Sequence, residues 1–140
     1  MIPKACLDTG VITLFYSNPV PLKVTQLREA IFTGNIEAYV VSPVLVEAFS
    51  QLCKLDGGID FAEKIIIEFL NTYPVKLASL NQSLIIKAGQ LKCKHRNILS
   101  LANCIAIGHA LIKKMEFHTT EKNIDKLFPK LKIVKYHFSS

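Results

Sequence analysis

The sequence predicts an α/β fold: a mainly parallel central sheet flanked by helices, in one domain spanning 1–140. Three observations carry this. Short apolar runs alternate along the chain with longer stretches of helical periodicity, the pattern that builds strand–helix–strand units. The run Glu37–Val41 passes straight into Ser42-Pro43, a helix start with Ser as N-cap and Pro at the first helical position. And 140 residues suffice for one core, with no internal repeat, low-complexity segment or linker to divide them.

Taken in order, Lys4–Asp8 reads as a buried strand ending on an acid, Thr9-Gly10 as a turn, and Val11–Tyr16 as the start of a helix. Leu22, Leu27 and Ile31 share one face of a helix over Lys23–Phe32, closed by Gly34. After the strand Glu37–Val41, a helix runs from Ser42-Pro43 to the break at Asp56-Gly57-Gly58. Ile59–Asn71 is amphipathic, Val75–Leu77 is a short strand, and Asn81 or Ser83 caps a helix reaching Lys94. Ser100 caps a helix so apolar, through Leu101, Ile105, Ile107 and Leu111, that it belongs in the core. Glu116–Thr120 is a strand, Glu121–Phe128 a short helical turn, and Lys132–Tyr136 a last strand.

Composition narrows the function. Half the residues are apolar and a fifth charged, the profile of a compact domain. The longest apolar stretches, Ala38–Val46 and Ile98–Ile112, are broken by Ser42, Pro43, Ser100, Asn103 and His109, short of the roughly 20 apolar residues that span a bilayer. No signal-peptide core precedes Asp8, so a cytoplasmic protein without membrane association is expected. Cysteines 6, 53, 93 and 104 lack CxxC spacing and read as small hydrophobes. The four histidines show no metal-ligand spacing. The net charge of +6 favours polyanions, with lysines and arginine gathered at Lys87, Lys92, Lys94 and Arg96 and again from Lys113 to Lys135.

In a parallel α/β sheet, ligands bind beyond the carboxyl ends of the strands. Asp8 ends the first strand, Glu47 lies in the helix after the second, Glu121 follows the Glu116–Thr120 strand, and Asn103 lies in the first turn of the apolar helix. Clustered carboxylates repel one another unless a hard cation neutralises them, and Mg²⁺ or Mn²⁺ suits oxygen donors and phosphates. Each residue also has a structural reading. Asp8 can cap a helix, Ser100 and Asn103 have capping-box spacing, and Glu121 alone reads as a solvated residue. Glu47, between Val46 and Ala48, is placed where a carboxylate needs a partner. Asp8-Thr9-Gly10 matches the aspartic-protease tripeptide, but those enzymes are all-β.

Together, Leu7-Asp8-Thr9-Gly10-Val11, Val46-Glu47-Ala48, Leu99-Ser100-Leu101-Ala102-Asn103-Cys104-Ile105-Ala106-Ile107 and Thr119-Thr120-Glu121 resemble, in order, the four motifs of PIN-domain ribonucleases of the VapC toxin type. The resemblance covers nearly the whole chain. It implies an endoribonuclease that cuts RNA with Mg²⁺ or Mn²⁺, forms a homodimer, and is silenced by a small VapB-like antitoxin. It assigns metal binding to Asp8, Asn103 and Glu121, and metal binding or water orientation to Glu47. Thr9, Ser100 and Thr119 support the site, and Lys87, Lys92, Lys94 and Arg96 are expected along the RNA path. Two positions depart from the pattern. Glu121 stands where the family usually has Asp, and Asn103 where it uses an acid beside Asp8. An amide still offers a carbonyl ligand but no charge, and the well-kept flanking motif favours an inactivating substitution there over a naturally degenerate member. A catalytically weak module that binds RNA or a protein is the second reading. A phosphatase or receiver-like domain is disfavoured by the missing second acid beside Asp8 and by the absence of a Gly-rich phosphate loop.

Overall fold

The protein is described by a computed structural model covering residues 1–55 and 57–138. Five strands form one sheet in the order β3-β2-β1-β4-β5: β1 (Lys4–Leu7), β2 (Glu37–Val41), β3 (Lys76–Ala78), β4 (Glu116–Thr119) and β5 (Ile133–Lys135). All four pairings are parallel, so every described strand ends at the same edge. From β1 the chain builds outward through β2 and β3, then crosses back to lay β4 on the other side of β1. The switch point therefore falls between β1 and β4, where an open parallel sheet leaves a crevice.

The helices are α1 (Thr9–Leu14), α2 (Leu22–Phe32), α3 (Ser42–Leu55), α4 (Gly58–Thr72), α5 (Gln82–Lys94), α6 (Leu101–Lys113) and α7 (Ile124–Leu127). Every residue of α6 from Asn103 to Ala110 is buried, which accounts for its apolar sequence. Two residues, Lys114 and Met115, join α6 to β4, so α6 runs against the strands and its first turn returns to the edge where they end. The thiol of Cys6, in mid-β1, donates to the carbonyl of Ala106, in mid-α6, at 3.5 Å. Burial pushes that thiol up to about 12, so it stays neutral and packs as a hydrophobe. A cluster of Phe15, Phe69 and Tyr73, with ring centroids 5.3 to 5.8 Å apart, ties α1 to α4.

Helix α5 lies antiparallel to α6. A β-carbon on Gly108 would fall 3.3 Å from Leu84 and 3.5 Å from Lys87, whereas Lys92 reaches the other end of α6 and donates to the carbonyl of Leu99 at 2.7 Å.

Several local expectations shift. Asp8 caps α1, so Thr9 and Gly10 are its first two residues and no turn intervenes. Ser42 is helical, and its hydroxyl donates to Ala78 at the end of β3 instead of capping its own helix. Asn81 is the cap of α5, its side chain accepting from Leu84 N. The helical turn over Glu121–Phe128 contracts to α7, because Asn123 takes a left-handed conformation (φ 66°) just before it. The Asp56-Gly57-Gly58 break begins outside the described residues; Gly58, at φ 66°, opens α4.

Candidate active site

Asp8 sits at the switch point and is 2 % exposed. Its Oδ1 accepts the backbone N–H of Val11 at 2.9 Å, which caps α1. Its Oδ2 accepts the hydroxyl of Thr119 and the backbone N–H of Thr120, the latter at 3.3 Å. One carboxylate thus joins the ends of β1 and β4 to the start of α1. Its pKa is raised to about 6, chiefly by burial and in smaller part by the charge of Glu121, against hydrogen bonds from Thr119, Val11 and Thr120 that favour the ionised form. A buried acid held up in this way gains by meeting a cation.

Thr119 completes a second turn of the network by accepting Glu121 N at 2.9 Å, which orients the start of the following loop. Glu121 itself is exposed, close enough to raise the Asp8 carboxyl.

Asn103 is 6 % exposed, and its backbone N–H donates to the Ser100 hydroxyl at 3.1 Å, the N-cap of α6. The Cys6–Ala106 contact gives its position relative to Asp8. Asp8 is two residues beyond Cys6, on the same sheet face, and Asn103 is three residues before Ala106, on the same helix side. Both steps lead to the strand-end edge, by about 6.6 Å along the strand and about 4.5 Å along the helix. Both residues therefore lie on the strand-end side of the Cys6–Ala106 contact.

Glu47 departs from expectation. It is exposed, with Gln51 Nε2 3.5 Å from its Oε1, and needs no buried partner. Helix α3 turns Val44 and Ala48 inward instead. The Glu47 carboxylate lines a cleft between α3 and α6 with Val46, Leu101, Ala102 and Ile105, facing the first turn of α6 across open space.

The basic residues separate. Lys94 and Arg96 are exposed at the α5–α6 turn, near Ser100. Lys92 is bound to the backbone, donating to Arg96 O at 3.1 Å and Leu99 O at 2.7 Å. Lys87 lies beside Gly108, more than a turn of α6 away from Asn103.

By residue type, the Asp8 carboxylate, the Asn103 amide carbonyl and the Glu121 carboxylate are oxygen donors that could serve a hard divalent ion keeping part of its water. The hydroxyl of Thr9 is buried beside Asp8 without a hydrogen-bond partner, and an orphaned donor at such a place calls for an ordered water. The charge is thin, however. Among the described residues no group of three His, Cys, Asp or Glu side chains is placed to hold a metal.

Two contributors were not singled out from sequence. Thr120 clamps Asp8 through its backbone, and Gly10 makes room for it: a β-carbon on Gly10 would lie 2.0 Å from Thr120 Oγ1. The available signal was a glycine in the first turn of a helix, where it costs about 1 kcal/mol relative to Ala and is kept for a close approach.

No family model matches the chain, and no curated protein matches its sequence significantly. Solved structures do match its fold, which is the PIN-type α/β fold of the VapC toxins. VapBC2 from Rickettsia felis, bound to a promoter DNA fragment, has a TM-score of 0.74 at 15% identity, covering 95% of this chain and 98% of that one. DNA-bound VapBC from Salmonella typhimurium has a TM-score of 0.72 at 15% identity, with 96% and 98% covered. VapC20 from Mycobacterium tuberculosis, a toxin that cleaves the sarcin–ricin loop, has a TM-score of 0.67 at 11% identity, with 91% and 95% covered. No helix among the described residues is long and apolar enough to cross a membrane.

Proposed function

We propose that the chain is a Mg²⁺- or Mn²⁺-dependent endoribonuclease of the VapC type, the toxin of a toxin–antitoxin pair, with Asn103 standing where such a site would hold a further acid. The observation that carries the reading is the buried Asp8 carboxylate at the β1/β4 switch point, its pKa pushed up to about 6, within a fold shared with VapC toxins over nearly its whole length. Asp8, Asn103 and Glu121 would hold the ion, Thr119 and Thr120 fix the Asp8 rotamer, and Thr9 and Ser100 support the two helix starts. Glu47, across the α3–α6 cleft, is placed to orient a water against the RNA. Once bound, a divalent ion would acidify a water and neutralise charge on the scissile phosphate. Lys94 and Arg96 offer charge to the RNA backbone beside the site, with Lys92 and Lys87 further back.

The partner reading, a small VapB-like antitoxin, is supported by a groove of about 430 Å³ between α3 and α4, lined by Leu45, Val46, Phe49, Ser50 and Ile66. It suits the apolar face of a partner's helix. The chain is also read as a homodimer that acts in the cytoplasm.

The test is Asn103→Asp. Adding a carboxylate to those of Asp8, Glu47 and Glu121 raises affinity for Mn²⁺ and raises metal-dependent cleavage of a structured RNA panel by about a hundredfold, the effect of a few kcal/mol of charge stabilisation in a partly desolvated site. Asp8→Ala in the same background controls for contaminating nuclease. Equal activity of the parent and the Asn103→Asp variant would remove residue 103 from the metal site. The thin charge of the site favours one alternative, a catalytically weak module that binds RNA or a protein. Normal Mn²⁺ binding with no cleavage in either protein would select it.

A further inference from the structure

The positive charge of the chain is concentrated at its end. From residue 113 onward there are seven lysines (113, 114, 122, 126, 130, 132, 135) against three acids (116, 121, 125), a net +4 of the total +6. Two of these lysines are paired: Lys132 with Glu116 at 2.6 Å and Lys135 with Asp125 at 2.7 Å. Glu116 is fully engaged, because its other oxygen meets Nε2 of His118 at 3.1 Å. Lys114 and Lys130 are exposed and have no carboxylate partner among the described residues.

These two lysines border a cleft of about 520 Å³ between the end of α6 and the loop entering β5. Its floor is apolar, formed by Leu111, Met115 and Leu131, and Lys132 completes the basic rim. Lys114 holds its place in a left-handed conformation, φ 55° and ψ 49°, at the C-cap of α6. Glycine or asparagine occupies that conformation at less cost; for a lysine the penalty is about 1–2 kcal/mol. The cleft lies at the strand-start edge, about 16 Å along α6 from Asn103 at 1.5 Å per residue. An apolar floor under ammonium groups matches a nucleotide of a strand, with the base against the floor and its two flanking phosphates on the rim.

We propose that this cleft is a second RNA subsite, holding one nucleotide of a single strand remote from the cleavage position. The proposal rests on the ribonuclease reading and names where the substrate is held. Charge complementarity selects RNA over an apolar partner, since among the described residues the rim carries two free cations and no free acid.

The test uses the full chain and a labelled single-stranded RNA, with affinity measured across a salt series. In the variant Lys114→Gly/Lys130→Ala, glycine relieves the left-handed strain, so thermal stability is retained and misfolding does not explain a loss. We expect affinity to fall at least tenfold and the slope of log affinity against log salt to drop by about 1.4, two phosphate contacts at about 0.7 each for single strands. Lys114→Arg/Lys130→Arg should keep the parent slope. An unchanged slope in the Gly/Ala variant overturns the subsite. If Asp8→Ala still abolishes cleavage in that case, the nuclease reading survives alone. An equal loss on duplex DNA also overturns the proposal, because the apolar floor would then have no role. No measurable RNA binding by the parent chain overturns both readings.

Discussion

Asp8 is stable only at a cost, and the cost has a pH signature. Its usual pKa of 3.8 is raised to about 6 in the folded protein. Below 3.8 the acid is protonated in both states, and the stability due to its buried neutral form is fully present. As pH rises toward 6, the unfolded chain ionises first and the folded state loses on the order of 3 kcal/mol. Urea unfolding in a chelating buffer should therefore show stability from this group falling between about pH 4 and pH 6. Asp8→Asn should flatten that fall, be more stable than the parent at pH 7, and lack cleavage. The same descent in Asp8→Asn would assign the titration to another residue. Added Mn²⁺ should restore stability to the parent at pH 7 and not to the variant, by mass action on the folded state.

The α5–α6 hairpin shows why a charge can be misread. Lys87, Lys92, Lys94 and Arg96 form one basic run in sequence, yet Lys92 closes the turn by binding two carbonyls. Lys92→Ala should cost about 1–2 kcal/mol in urea unfolding, the value of charge-assisted bonds in a partly exposed place. It should weaken RNA less than Lys94→Ala/Arg96→Ala, measured as affinity at fixed salt. A larger RNA effect from Lys92→Ala, with stability unchanged, would return it to the phosphate path. Elements with strong local signals were legible: β2 has the bounds its apolar run and the following Ser42-Pro43 indicate, and α6 is as buried as its composition requires. The buried place of Asp8 was legible because it follows directly on an apolar strand. The site was not legible where the decision belongs to distant partners. Which side of α3 packs inward determines that Glu47 is exposed, and the Thr120 clamp on Asp8 spans 112 positions. Periodicity within a single helix or strand does not contain either fact.

At the scale of the whole molecule, the α3–α4 groove and the lysine-rimmed cleft share no lining residue. The α3–α4 groove is almost free of polar atoms, and the unpaired lysines 114 and 130 lie at the strand-start edge. Partner binding and RNA binding should therefore be separable. Ser50→Lys, at an exposed position that lines the α3–α4 groove and not the Glu47 cleft, should leave unfolding and RNA affinity within about 0.5 kcal/mol of the parent. Under the proposed antitoxin reading, the variant co-expressed with a VapB-like antitoxin should fail to co-purify where the parent succeeds. Equal recovery would move the partner to another face.

The bond between Thr119 and Asp8 joins residues 111 positions apart. At synthesis rates of about 5–20 residues per second, Asp8 would leave the peptidyl-transferase centre roughly 5 to 20 s before its clamp is made. Sheet order adds to the delay, because β1 cannot gain its β4 neighbour until residue 116 exists. An unfinished chain therefore carries the acid without the geometry that buries it and raises its pKa. Until residue 120 has been added, the pKa of Asp8 is that of an open chain end, so the acid acquires its unusual basicity among the last events of synthesis.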